Sequence, residues 1–113
     1  MLKGRHEIAL PLPVIAELRY GFLKGSQKDK NEKYLQRFLA QSNVNIARPS
    51  MKTTLIYSEM QLLCNRKGRV LSHNDLWIAA LAKEANGILV TYDQDFAVLK
   101  EMLPEKLFIV GTK

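Results

Sequence analysis

One cysteine in 113 residues, Cys64, leaves no partner for an internal disulfide and no thiolate pair for a zinc site, which fits a reducing, cytoplasmic setting. Its place in Leu62-Leu63-Cys64 reads as a buried, inert thiol. The two histidines, His6 and His73, lie far apart in sequence without metal-ligand spacing, so neither is given a metal or proton-transfer role. Long apolar runs are also missing. The longest uncharged run, residues 8–16, holds Pro11 and Pro13 and falls far short of the roughly 20 apolar residues of a membrane helix. Lys3 and Arg5 ahead of that run mimic a secretion signal, but two prolines in so short an apolar stretch argue against one. No period of 20 to 50 residues repeats and no low-complexity tract occurs, so solenoids and linkers drop out.

What remains has the balance of a globular protein. Hydrophobic residues make up 47% and charged residues 25%, which excludes a wholly disordered chain, and the length suits one domain spanning residues 1–113. Seventeen basic residues against eleven acidic ones give +6, a surplus that suits a partner carrying phosphates or carboxylates. Short apolar runs alternate with helical patterns. Strands are expected at 7–10, 44–47, 88–91 and 107–110. Helices are expected from Pro13 to Phe22 with a stop at Lys24-Gly25, at 29–41, from an N-cap at Ser50 to a stop at 65–68, at 75–85, and near 96–102. Strands separated by helices predict an α/β fold, with a mostly parallel sheet flanked by helices.

Three acids stand out against that frame. With Asp75 at zero on its helix, Ala79 falls at about 40° and Ala82 at about 340°, so the carboxylate shares a face with small apolar residues. Burying it there as an ion is costly unless a cation or several donors meet it. The plainer role is capping, since Ser72-His73-Asn74-Asp75 has the capping-box form. Glu17 lies at the border of the buried arc of the first helix, one turn before Gly21, whose missing side chain leaves the carboxylate accessible; a surface glutamate paired with lysine is the plain alternative. Asp93, and with it Asp95, follows the strand at 88–91, and ligands of open α/β sheets bind beyond the carboxyl ends of strands, although either acid alone also suits a turn. Convergence of the three would require a divalent cation to compensate their repulsion. Oxygen ligands without cysteine or a histidine pair favour Mg²⁺ or Mn²⁺. In-line attack of a metal-activated water on a phosphodiester follows as the reaction class, with lysines holding the polyanion.

The segments VIAELRYG (14–21), SHNDLWIAALA (72–82) and GILVTYDQDF (87–96) resemble, in order and spacing, three motifs of PIN domains, in particular the VapC-like toxins of bacterial toxin–antitoxin pairs. The resemblance implies a three-layer sandwich with a mostly parallel sheet. It also implies Glu17, Asp75 and Asp93 as catalytic and metal-site carboxylates, with Thr91, Asn74 and Asp95 in support. It further implies Mg²⁺- or Mn²⁺-dependent cleavage of RNA, a homodimer and a cognate antitoxin. One feature departs from the family pattern. PIN domains begin with a central strand carrying an aspartate in an Asp-Thr-Asn context, whereas the first acid here is Glu7 in Arg5-His6-Glu7-Ile8.

A sheet without that strand has two unpaired edges, for which an intimate dimer, a strand-exchanged oligomer, a rearranged sheet or completion by a separate N-terminal segment is expected. One carboxylate fewer lowers metal affinity. The alternative to a ribonuclease is therefore an incomplete PIN-like module that binds RNA or an antitoxin without cleaving; a small metal phosphatase fits the carboxylates but not the three motifs. Arg66-Lys67-Gly68-Arg69 and the lysines at 24, 28, 30 and 33 read as solvated charge. Trp77, opposite Asp75 on its helix, reads as packing.

Overall fold

The computed structural model describes residues 7–87, 89–91, 94–103 and 107–109. They fall into two compact units, Met1–Arg48 and Pro49–Lys113, described here in turn.

In the first unit, strand β1 (Ile8–Pro11) pairs in parallel with β2 (Val44–Ala47), from Ile8 opposite Val44 to Pro11 opposite Ala47. Pro11 has no N–H to donate and stands at the strand's last position, where the lost ladder bond costs least. Helix α1 (Leu12–Lys24) follows at once. Pro13 in its first turn presets φ and lacks an N–H that would have had no partner there. Helix α2 (Lys28–Leu39) leads on to β2. Parallel strands cannot be joined by a tight turn, and this pair of helices makes the crossover. Among the described residues of the unit, Ile15, Leu35 and Val44 are the buried apolar ones.

Arg19 on α1 grips Glu32 on α2 with both ends of its fork, Nε to Oε1 at 3.1 Å and Nη2 to Oε2 at 2.6 Å. Gln36 Nε2 donates to Glu32 Oε2 at 2.8 Å. The Arg19 hydrogen bonds, with help from Gln36, hold the Glu32 carboxyl below the usual carboxylate range.

The second unit is built on an antiparallel helix pair. Helix α3 (Met51–Arg66) and helix α4 (His73–Glu84) meet along matching stripes. At one end, the Ser50 hydroxyl donates to Glu84 Oε2 at 3.1 Å and the Thr53 hydroxyl donates to Glu84 Oε1. At the other end, Tyr57 packs on Trp77 with ring centroids 4.5 Å apart. Glu84 thus brings negative charge to the N-terminus of α3, where unpaired N–H groups make it favourable. Both helices stop the same way. After α3, Gly68 has φ 65° while Arg69 N bonds Cys64 O at 2.9 Å and Gly68 N bonds Asn65 O at 3.2 Å. After α4, Asn86 takes the left-handed position with φ 55°, and Gly87 N bonds Ala82 O at 2.8 Å. These are Schellman stops, the second with asparagine where glycine is commoner.

Strand β3 (Leu89–Thr91) pairs in parallel with β4 (Leu107–Ile109), and a 3-10 helix (Gln94–Leu99) lies between them in sequence. The core of this unit includes Met60, Leu76, Ala79, Ala80, Phe96, Leu99 and Leu103. Cys64 is buried as expected, and burial raises its thiol pKa.

The α/β reading holds, with every described strand pair parallel. Each sheet has two strands among the described residues. Several bounds differ from expectation, among them those of α2, which runs Lys28–Leu39 rather than 29–41. The first strand runs one residue later, α1 begins one residue earlier, and α4 begins at His73 rather than Asp75 because Ser72 itself occupies the N-cap. The helix expected near 96–102 is the 3-10 helix Gln94–Leu99, since Phe96 and Leu99 recur at a spacing of three rather than along a longer α-helical stripe. No described helix is long and apolar enough to cross a membrane.

Two outcomes follow from this packing. Glu84→Ala leaves the Thr53 hydroxyl without its acceptor and is expected to lower the unfolding free energy by about 1–3 kcal/mol in urea titration. Carboxyl NMR is expected to show Glu32 titrating below ordinary glutamates and Arg19→Gln returning it toward them. Because its folded pKa is depressed, the stabilisation from Glu32 is complete above the ordinary carboxylate range and is lost as pH falls through the lowered value.

Candidate active site

The N-terminus of α4 carries two of the residues singled out by sequence, Asn74 and Asp75. Ser72, extended at φ −65° and ψ 158°, accepts the Asp75 amide on its Oγ at 3.0 Å, and Leu76 N bonds Ser72 O at 3.0 Å. This is N-capping, and it holds Asp75 at the third position of the helix. Asn74 and Asp75 are both half-buried and stand side by side in this first turn. A carboxylate here is favoured as an anion by the helix dipole. The residues of α4 that meet α3 (His73, Trp77, Glu84) lie at about 160–200° from Asp75 around the helix. Asp75 and the fully buried Ala79 therefore occupy the face turned away from α3.

The His73–Tyr57–Trp77 cluster escaped the sequence reading. The Tyr57 hydroxyl hydrogen-bonds His73 Nδ1, and their rings stack at 6.3 Å and 18°. Only the i, i+4 spacing of His73 and Trp77 signalled a shared face; Tyr57 is 16 residues from His73. Trp77 packs, as expected.

Glu17 is exposed on α1 in the first unit, and a side chain at Gly21 would meet nothing within 4 Å, so the surface beside it is open. Asp95 is exposed at the start of the 3-10 helix in the second unit. Thr91 closes β3, paired with Ile109. Asp93 lies outside the described residues. Among the described residues, no three of His, Cys, Asp and Glu are grouped so as to hold a metal. The donor chemistry nevertheless suits a hard ion: Cys64 is buried within α3 and His73 is engaged by Tyr57, which leaves oxygen donors in the proposed set.

The PIN domain family model matches residues 2–102. The chain belongs to the PIN domain family. Among curated PIN relatives, "Ribonuclease VapC2" of Rickettsia felis is 37% identical over 91 residues, covering 80% of this chain and 66% of the relative. The chain thus spans about two thirds of that relative's length. The crystal structure of VapBC2 from Rickettsia felis, bound to a DNA fragment from its promoter, superposes with a TM-score of 0.70 at 35% identity, covering 91% of this chain and 73% of that one. A member of the VapBC family of toxin–antitoxin systems, VapBC-5 from Mycobacterium tuberculosis, superposes with a TM-score of 0.70 at 25% identity, covering 90% and 81%. The PIN resemblance read from three short motifs therefore extends over nearly the whole chain.

Loss of the Ser72 cap tests the local geometry. Ser72→Ala is expected to cost about 1 kcal/mol of stability, read as a lower urea midpoint with an unchanged slope.

Proposed function

We propose that this PIN domain chain is a metal-dependent ribonuclease, the toxin of a toxin–antitoxin pair, acting in the cytoplasm. Its 37% identity to a relative named Ribonuclease VapC2 carries the reading. The similarity to VapBC complexes supports a cognate antitoxin as partner. In this proposal residues 1–113 work as one domain and as a homodimer. Glu17, Asp75 and Asp93 hold a divalent cation, Mg²⁺ or Mn²⁺, with Asn74, Thr91 and Asp95 supplying further polar contacts.

Bound there, the ion supplies an acidified water and positive charge beside the phosphate. The protein's part is to keep the carboxylates charged and in place. Ser72 fixes the first turn of α4, and the helix N-terminus favours the ionised form of Asp75. Gly21 leaves room beside Glu17 for a bulky polyanion. The basic surplus raises the local concentration of RNA.

Cleavage of a structured RNA with Mg²⁺ or Mn²⁺ tests the assignment. Asp75→Asn and Glu17→Gln are each expected to lower the rate by ~100-fold or more, the scale of losing one charge-stabilising group, and a chelator is expected to abolish it. Equal cleavage by wild type and Asp75→Asn would overturn the active site. Binding of RNA or antitoxin with no cleavage by wild type would make the chain a binding module.

A further inference from the structure

Helix α2 divides sharply into two faces. Leu35 is buried, and Phe38 and Leu39 are half-buried on the inner side. Lys30, Lys33, Tyr34 and Arg37 are all exposed and fall within an arc of about 100° at helical spacing i, i+3, i+4, i+7. No acid interrupts this stripe: Glu32 lies on the flank, engaged by Arg19 and Gln36, and Asp29 lies outside the arc. The Tyr34 ring is 51% exposed and sits among the cations, with Lys30 Nζ 5.9 Å and Arg37 Cζ 5.7 Å from its centroid. The pairing recurs on α1, where Lys24 Nζ lies 4.8 Å over the ring of Tyr20, which is 62% exposed. The first 48 residues hold nine basic and four acidic residues, so they carry +5 of the chain's +6.

Lysines alone would describe a solvated surface. A row of fixed cations with an exposed aromatic ring between them matches what a flexible polynucleotide presents, phosphates at intervals and flat bases between them. An acidic peptide matches the charges but carries no regularly spaced flat bases for the ring to stack on. We propose that the outer stripe of α2, formed by Lys30, Lys33, Tyr34 and Arg37, is a docking surface for single-stranded RNA. Lys30, Lys33 and Arg37 take backbone phosphates and Tyr34 stacks on a base. The stripe lies outside the carboxylate set and rests on the reading of this chain as an RNA-acting protein. Its consequence is that RNA is held by contacts independent of the divalent ion.

The test is fluorescence anisotropy of the full-length chain with a labelled 12-nucleotide single-stranded RNA, in chelator so that no cleavage occurs, across a series of salt concentrations. The triple variant Lys30→Gln, Lys33→Gln, Arg37→Gln is expected to bind at least 10-fold more weakly. Its slope of log affinity against log salt is expected to be shallower by about 2, the value for three phosphate contacts on a single strand. Tyr34→Ala is expected to weaken binding about 10-fold with the slope unchanged, and Tyr34→Phe to restore it. Unchanged affinity and slope in the triple variant overturns the proposal, as does an equal loss on duplex DNA of the same length. Unchanged RNA binding with loss of antitoxin association also overturns it, in favour of a protein interface. Asp75→Asn measured in parallel keeps the two readings apart: equal cleavage by that variant and wild type defeats the nuclease whatever the anisotropy shows, while loss of cleavage with RNA binding indifferent to the stripe defeats the stripe alone.

Discussion

The antiparallel contact between α3 and α4 is the constraint on which the second unit depends. Its two ends are fixed by different physics. At the α4 C-terminus, Glu84 accepts from the hydroxyls of Ser50 and Thr53 and sets negative charge at the α3 N-terminus. Near the α4 N-terminus, Tyr57 lies against both His73 and Trp77. Fixing both ends sets the rotation of α4 about its own axis, and that rotation decides where Asp75 points. A slip of one residue would turn each side chain by about 100°, carrying Asp75 and Ala79 together off the face turned away from α3 and exposing apolar surface in exchange. The position of Asp75 is thus held by contacts on the opposite side of its helix.

Small side chains serve that arrangement. Ala79 and Ala80 are both fully buried, so α4 is covered on more than one face. A helix covered all round loses the simple one-sided pattern of a surface helix, and large residues at those positions would force its neighbours apart. Asp75 is tolerated beside such a core because the first turn offers it amide dipoles and partial exposure. One turn further along, at the fully buried Ala79, the same carboxylate would meet neither.

Much of this was legible in the sequence because local rules wrote it. Val44–Ala47 is a strand within its expected bounds, Ser72 caps the helix that carries Asp75, and both helix stops at 65–68 and 86–87 are where turn-forming residues occur. The starts and ends of α1, α2 and the first strand shifted by a residue or two because proline and capping residues mark a boundary more loosely than hydrogen bonds do. The three PIN motifs carried the family assignment because each pairs an acid with a fixed local context. What could not be read was non-local. Glu84 meets residues more than 30 positions earlier, and Tyr57 meets a histidine 16 positions later. Nothing in the spacing of either pair announces the contact. The stripe on α2 was visible as lysines, but only the exposed Tyr34 ring between them distinguishes it from solvated charge.

Charge is unevenly divided along the chain, and under the proposed reading the division has a physical logic. Seven of the eleven acids follow Arg48, including Asp75 and Asp93, whereas Glu17 and the cations of α2 belong to the first 48 residues. Phosphates approaching a set of carboxylates meet like charge, a repulsion that neither hydrogen bonding nor shape can remove. Compensation by a divalent ion at the carboxylates acts over short range and depends on the ion's concentration. Fixed cations on a helix are independent of that concentration and answer only to salt, which screens them over about 10 Å at 0.1 M. A nucleic acid held by such cations releases part of its counterion atmosphere. In the proposed reading, binding through the stripe and cleavage at the carboxylates would depend on ionic conditions through separate groups.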